Sequence, residues 1–224
     1  MEKNMTEGNS LKQILCFAFP LLLGNLFQQL YNLADSIIVG KTLGIDALAS
    51  VGASGSLNFL IIGFCIGLCS GFAIPVAQTF GAKEYSLMRR YVVNAMALAA
   101  GISIAFAVVT ALFCRQILVL IRTPENILDG AYRYLIIIFI GIPFTVLYNL
   151  AAGILRSLGD SKSPFLFLAI STIINIIGDL VCILVFGMGV EGAAISTIVA
   201  QPISGICCVI YMKKRFTILK LDRQ

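Results

Sequence analysis

Residues 14–38 read ILCFAFPLLLGNLFQQLYNLADSII, an apolar stretch that is long enough to cross a lipid bilayer as a helix. Polar side chains interrupt this stretch, and near its end lies a carboxylate, Asp35. A second carboxylate, Asp179, lies inside the fifth apolar stretch, whereas every other acidic residue falls in a terminus or a polar connection. A charge at mid-bilayer costs about 2.5–3.5 kcal/mol on insertion scales and is usually held in a protein interior or a water-filled cavity. The two acids therefore predict a site for a proton or another cation.

The composition places the whole chain in a membrane. Hydrophobic residues make up 59% of the 224 residues and charged residues only 12%, there is no His or Trp, and the mean hydropathy is +0.97. These values lie outside the range of soluble globular domains. The sequence predicts an all-α membrane protein, a bundle of six transmembrane helices at about 14–38, 48–79, 91–120, 131–155, 164–186 and 192–212. The first run lacks a signal-peptide cleavage pattern and is expected to be retained.

Basic residues predict the orientation of the bundle, because Lys and Arg accumulate on the cytoplasmic side of membrane proteins. With both termini cytoplasmic, twelve fall inside and four outside; the four are Lys41, Arg115, Arg122 and Arg133. The chain is therefore expected to be a multi-pass protein of the plasma (inner) membrane. At ~1.5 Å per residue, Asp35 lies about 31 Å along helix 1 and Asp179 about 22 Å along helix 5, both in the outer half. They share one cavity if helices 1 and 5 are neighbours, which the sequence does not show.

Each acid has amide side chains on its own helix. Gln28, Asn32 and Asp35 follow i, i+4, i+7 spacing, and Asn175 precedes Asp179 by four residues. Amides donate to an ionised carboxylate or accept from a protonated one, and desolvation disfavours the charged form of an acid, so such a site can exchange protons. The alternative is that the amides only join helices by hydrogen bonds.

The remaining features narrow the classes of function. Prolines inside the apolar runs permit helix bends; they are Pro20, Pro75, Pro143 and Pro202. In helix 2, glycines recur at every fourth residue, at Gly63, Gly67 and Gly71, which indicates close packing against another helix. Seven cysteines without a CxxC or any His predict no metal site. No phosphate-binding loop or hydrolase motif is present, so an enzyme is not expected. A channel fits less well than an alternating-access carrier.

Several motifs resemble those of the multidrug and toxic compound extrusion (MATE) transporters. They are the stretch Pro20 to Gly40, with Gly24-Asn25, Gln28-Gln29-Leu30-Tyr31-Asn32 and Asp35, then Leu43-Gly44, Ala47 to Gly52, Gly67-Leu68 with Gly71, Ala77-Gln78 to Gly81-Ala82, and Leu155 to Asp160 with Lys162 and Pro164. The resemblance covers essentially the whole chain. It implies a cation-coupled antiporter, driven by H⁺ or Na⁺ and needing no cofactor, that exports organic cations and other xenobiotics.

The resemblance also assigns roles to residues. It makes Asp35 the helix 1 acid, with Tyr31 beside it and Pro20 as a bend whose shape follows protonation. Asn175 and Asp179 match a pair typical of the DinF-like branch, and Thr197 matches a helix 6 hydroxyl. Two weaker candidates for the substrate cavity, beside Gln28 and Asn32, are Tyr134 and Asn149; an interfacial tyrosine and a packing asparagine explain them equally well.

Residues 1–224 resemble one lobe, the N-terminal one, of a twelve-helix MATE transporter. The second lobe is absent from this sequence, so the chain is expected to be a fragment, a split gene product with a partner subunit, or a parallel homodimer. Two alternatives stay open: a flippase for lipid-linked or polysaccharide precursors in the same superfamily, and a non-transporting membrane fragment or assembly partner. A ring of cavity arginines would favour the flippase. Besides drug-like cations the expected partner is membrane lipid, and no nucleic acid.

Overall fold

A computed structural model of the chain describes residues 10–216, and every regular element in that range is a helix. The helices are α1 (Ser10–Leu43), α2 (Ile45–Gly81), α3 (Tyr85–Leu120), α4 (Glu125–Ile140), α5 (Ile142–Ser157), α6 (Lys162–Leu180) and α7 (Val190–Arg215). A π-helical segment, Val181–Val185, continues α6. The basic residues Lys3, Lys220 and Arg223, which entered the charge count, lie outside the described range.

Six apolar spans follow from these helices, which confirms the predicted bundle. Five helices in residues 10–216 are each long and apolar enough to cross a membrane, and α4 with α5 forms a sixth span that is bent by 48°. We predicted one helix over 131–155 that Pro143 permits to bend, and the structure divides this span into α4 and α5. The break falls at Gly141, two residues before Pro143, whose ring nitrogen cannot donate to a preceding turn.

Helix α7 packs against this break. Gly141 is buried, and a Cβ atom there would lie 2.6 Å from Cγ1 of Ile198. The bend thus depends on a residue without a side chain as well as on the proline. By contrast, Pro20, Pro75 and Pro202 lie inside continuous helices, so the role of Pro20 as a moving bend stays a prediction.

The centre of the bundle is formed by α5 and α7. Helix α5 packs on α2, α3 and α7, while α7 also packs on α4 and α6. Small residues allow the close approach: a Cβ atom on Gly153 would lie 3.3 Å from Cβ of Ala73, and the Ser157 hydroxyl donates to the Ala73 carbonyl at 2.9 Å. Helix α1 lies at the edge, chiefly against α6, so the helices that carry the two acids are neighbours.

The turn before α6 is held by Asp160, an acid in the polar connection between two apolar runs. Asp160 Oδ1 accepts from the backbone nitrogens of Lys162 and Ser163 at 3.1 and 3.0 Å, and its Oδ2 accepts from the Ser163 hydroxyl at 2.6 Å. Acceptors placed in this way satisfy the free N–H groups at the start of a helix. The carboxylate of Asp160 is therefore committed to the start of α6.

One packing prediction is not met within residues 10–216. The glycines of α2 at positions 63, 67 and 71 are all exposed, and a Cβ atom on any of them would meet nothing within 4 Å. Glycines that do pack closely against another helix include Gly130, Gly141, Gly153, Gly178 and Gly205, on α4, α5, α6 and α7 and at the break before α5. This face of α2 is left open by the described helices.

Replacing Gly141 by alanine should destabilise the chain, because the new methyl group overlaps Ile198 and overpacking of this kind costs about 1–3 kcal/mol. Thermal unfolding of the purified chain in detergent, followed through thiol-dye labelling of buried cysteines such as Cys65 and Cys114, should show a lower Tm for G141A. The matched control G67A adds a methyl group to an open helix surface and should leave Tm unchanged or higher. Equal Tm values for the two variants would contradict this account of the bend.

Candidate cation site

The structure brings Asp35 and Asp179 together at the α1–α6 contact. Asp35 is 6% exposed and Asp179 is fully buried, and their carboxyl groups lie within hydrogen-bonding reach of each other. Two carboxylates at this separation repel when both are ionised. A proton shared between them, or a cation bound by both, removes that repulsion.

Helix α7 supplies hydroxyl groups to the pair. The Ser196 hydroxyl donates to Asp179 Oδ1. Asn175, which lies one turn before Asp179 on α6, donates through Nδ2 to the hydroxyl oxygens of Ser196 at 3.1 Å and Thr197 at 3.4 Å. Asn175 and Asp179 are both fully buried. The amide therefore orients the two hydroxyls that face the acid.

Tyr31 connects α1 to the hydroxyl of Thr197. Tyr31 Oη lies 2.6 Å from Thr197 Oγ1. Either hydroxyl can donate in this contact, and Thr197 Oγ1 also lies 3.0 Å from the Ala193 carbonyl, to which it can donate. Tyr134 of α4 is also buried and interacts electrostatically with both Asp35 and Asp179. Four helices, α1, α4, α6 and α7, thus surround the acids.

Three buried oxygen atoms in this site have no hydrogen-bond donor among the described residues: Asp35 Oδ1, Asn175 Oδ1 and Asp179 Oδ2. Buried polar atoms are nearly always paired, so each such atom needs an explanation. All three are acceptors, and what an acceptor lacks is a proton or a positive charge. The site is therefore suited to a proton or to a hard cation such as Na⁺, which prefers oxygen ligands.

The site does not resemble a transition-metal centre. In residues 10–216 no three His, Cys, Asp or Glu side chains are grouped so that they could hold a metal ion. The seven cysteines are free thiols spread over α1, α2, α3, α7 and the π-helical segment. The unpaired oxygen atoms of the site come from two carboxylates and one amide.

The predicted substrate-cavity residues are divided among three places. Gln28 and Asn149 line a second cavity of about 450 Å³ between α1, α2, α5 and α6, and Pro20 also lines it. Tyr134 lies beside the acids. Asn32 is exposed on the outer face of α1, where its Nδ2 donates to Gln29 Oε1 at 3.3 Å.

Sequence reasoning missed two residues. Ser196 links Asn175 to Asp179, but nothing in its sequence context distinguishes it from other small residues of the sixth run. Arg156 lines the second cavity, although it was counted only as one of the cytoplasmic basic residues. A signal for Arg156 existed, since it follows directly on an apolar run.

Comparison with known proteins agrees with the fold. The family model MatE matches residues 20–181, most of the chain. The chain belongs to the MATE family. Among its relatives, "Probable multidrug resistance protein YpnP" of Bacillus subtilis (strain 168) is 35% identical over 211 residues, which cover 94% of this chain and 47% of that protein. "Multidrug export protein MepA" of Staphylococcus aureus (strain NCTC 8325 / PS 47) is 23% identical over 94% of this chain and 47% of that protein. A third relative, "FAD transporter" of Shewanella oneidensis, is 26% identical over 88% and 45%.

Solved MATE structures have the same fold as this chain. A crystal structure of MATE in the bent conformation aligns with a TM-score of 0.88 at 26% identity, and one in the straight conformation with 0.87 at 25%. Each alignment covers 96% of this chain and 48% of the solved chain. The chain therefore spans about half the length of the MATE relatives it matches, the length of one six-helix lobe.

The contact between Tyr31 and Thr197 should be measurable as a coupling energy. In a double-mutant cycle of Y31F and T197V, denaturant unfolding of the purified chain should give a coupling of about 0.5–1.5 kcal/mol, the net value of one hydrogen bond. The control cycle pairs Y31F with T42V, because the Thr42 hydroxyl donates only to its own helix, at the Ile38 carbonyl. Additive effects in both cycles would show that the Tyr31 hydroxyl does not hold α1 against α7.

Proposed function

We propose that this MATE lobe belongs to a multidrug efflux antiporter, in which a coupling cation and a cationic substrate compete for the pair Asp35 and Asp179. The observation that carries the proposal is the group of three unpaired, buried acceptor oxygens around two adjacent carboxylates. The names of the relatives YpnP and MepA support export of drug-like compounds. The coupling ion is H⁺ or Na⁺.

The exchange follows from electrostatics. With the pair ionised, its negative charge attracts an organic cation to the cavity. When the coupling ion neutralises the pair, that attraction is lost and the substrate leaves, and the neutral pair no longer opposes closure of the bundle. Because one carboxylate cannot stabilise both positive charges at once, binding of one ion weakens binding of the other.

The direction of transport comes from the charge distribution of the chain. The excess of Lys and Arg on one side supports a topology with both termini in the cytoplasm of a plasma (inner) membrane protein. In this orientation the acids lie in the outer half of the bilayer, where an outward-facing cavity takes up the coupling ion from outside. A gradient of H⁺ or Na⁺ directed inward then drives substrate outward.

The proposed transporter includes a second lobe. The relatives are about twice as long as this chain, and one face of α2 and a row of amides on α1 are open. We propose that a second six-helix lobe, in the same polypeptide, in a partner subunit or in a parallel homodimer, completes the transporter at these helices.

Efflux measurements on Asp35 test the proposal. In drug-sensitive cells that express the chain, alone or together with the C-terminal half of YpnP, D35N and D179N should each reduce ethidium efflux at least tenfold. The matched control D46N removes an exposed carboxylate from the first turn of α2 and should retain efflux. Wild-type efflux that persists in D35N and D179N would refute coupling at this pair.

The same cells identify the coupling ion. Collapse of the proton gradient with a protonophore should stop efflux if the ion is H⁺, whereas replacement of external Na⁺ by K⁺ should stop it if the ion is Na⁺. In either case ethidium should lower the affinity of the purified protein for the coupling ion. Efflux that is insensitive to both gradients would contradict antiport.

A further inference from the structure

A second polar region extends to the end of the bundle where α5 ends and α6 begins. It is the cavity of about 450 Å³ between α1, α2, α5 and α6, here called the Arg156 cavity. Along the helix axes its lining residue Pro164 lies ~23 Å from Asp179, whereas its lining residue Gln28 lies ~10 Å from Asp35. Its volume is within the range of small-molecule sites, roughly 300–1,000 Å³.

Arg156 is the one charged residue that lines this cavity. It is half-buried, and its Nε donates to the Ala152 carbonyl at 3.1 Å. Its two terminal nitrogens have no hydrogen bond or ion pair within residues 10–216. Asp160, the nearest acid in sequence, is committed to the start of α6. Arg156 therefore forms no salt bridge with the described helices.

Neighbouring amides extend the set of donors. Asn25 and Gln28 of α1 also line the cavity, and their side chains make no hydrogen bond to other described residues. Asn149, on the opposite wall, already donates to the Thr145 carbonyl at 2.8 Å. A guanidinium group and two free amides can together donate to several oxygens of one anion, and the planar fork of arginine fits phosphate through two parallel bonds.

The rest of the wall is apolar. Phe17, Leu21, Ile74 and Phe165 come from α1, α2 and α6. A small inorganic anion would leave these side chains uncovered, whereas a molecule with a phosphate group and an apolar portion would contact both kinds of surface. We infer that the Arg156 cavity binds a phosphate ester, with the phosphate on Arg156, Asn25 and Gln28. The source of that phosphate is a lipid headgroup or a soluble phosphate ester. This site does not depend on the proposed cation exchange.

Native mass spectrometry of the purified full chain in detergent tests the site with three probes. Dioleoyl phosphatidic acid carries both phosphate and acyl chains, dioleoylglycerol carries the acyl chains alone, and glycerol 3-phosphate carries the phosphate alone. Phosphatidic acid should bind at least tenfold more tightly than dioleoylglycerol. R156Q should lose about tenfold or more in affinity for the phosphate probe that binds, as expected for charge-assisted hydrogen bonds.

Matched variants separate charge from fold. R90Q removes an exposed arginine of α3 that does not line the cavity and should bind as wild type does. R156K keeps the charge but loses the fork, so it should bind severalfold more weakly. If R156Q does not fold, R156K and S70F still test the site, because phenylalanine at the cavity-lining Ser70 should obstruct it. S56F, on an exposed part of α2 outside the cavity, is the control for S70F.

Each outcome decides the inference. Arg156-dependent binding of phosphatidic acid that glycerol 3-phosphate does not displace identifies a lipid headgroup as the source. Arg156-dependent binding of glycerol 3-phosphate without phosphatidic acid identifies a soluble ester. Three results would overturn the inference. They are equal binding of dioleoylglycerol and phosphatidic acid, undiminished binding in R156K and S70F, and no binding of either phosphate probe. Efflux is not part of this readout, so failure here leaves the proposed antiport intact.

Discussion

The close contact between α6 and α7 is the constraint on which the acid site depends. A Cβ atom on Gly178 would lie 2.9 Å from Cβ of Ser196, so only glycine allows the two helices to come this near. That approach places the Ser196 hydroxyl against Asp179 and within reach of Asn175. Thr197, the next residue of α7, then meets Tyr31. The position of α1, and with it Asp35, thus follows from a contact between two other helices.

The bundle holds opposite charges at its two ends. The acid pair is surrounded by α1, α4, α6 and α7, and the Arg156 cavity by α1, α2, α5 and α6, so that α1 and α6 contribute to both. A cation moving along these helices is attracted by one end and repelled by the other, and an anion experiences the reverse.

Much of the fold could be predicted from the sequence because the bilayer imposes simple lengths. Apolar runs gave the spans, and the cost of a buried charge singled out Asp35 and Asp179. The adjacency of α1 and α6 and the role of Ser196 depend on tertiary packing, which leaves no periodic pattern. Gly141 was not recognised as a break because the apolar run continues through it. Thr197 was found only through the family resemblance, whereas Tyr31 also lies one turn from Asp35 in the sequence.

Helix geometry also explains why Asn32 is exposed and Asp35 is buried, although both belong to one set with i, i+4, i+7 spacing. At about 100° per residue, Asn32 lies about 40° to one side of Gln28 and Asp35 about 20° to the other. The resulting difference of about 60° between Asn32 and Asp35 is enough to put one side chain on the open surface while the other is buried. Spacing of i, i+4, i+7 therefore defines a broad face, and only packing decides which part of that face is covered.

The open row of amides on α1 has a consequence for how the protein is made. Asn25, Gln29 and Asn32 are exposed on one side of a helix that is the least apolar of the five that can span a membrane singly, and lipid offers these amides no hydrogen bonds. The contact that holds α1 in the bundle through Tyr31 comes from Thr197, 166 residues later in the chain. During synthesis α1 therefore lacks this contact until α7 has been made, and its exposed amides stay uncovered even then by the helices of residues 10–216.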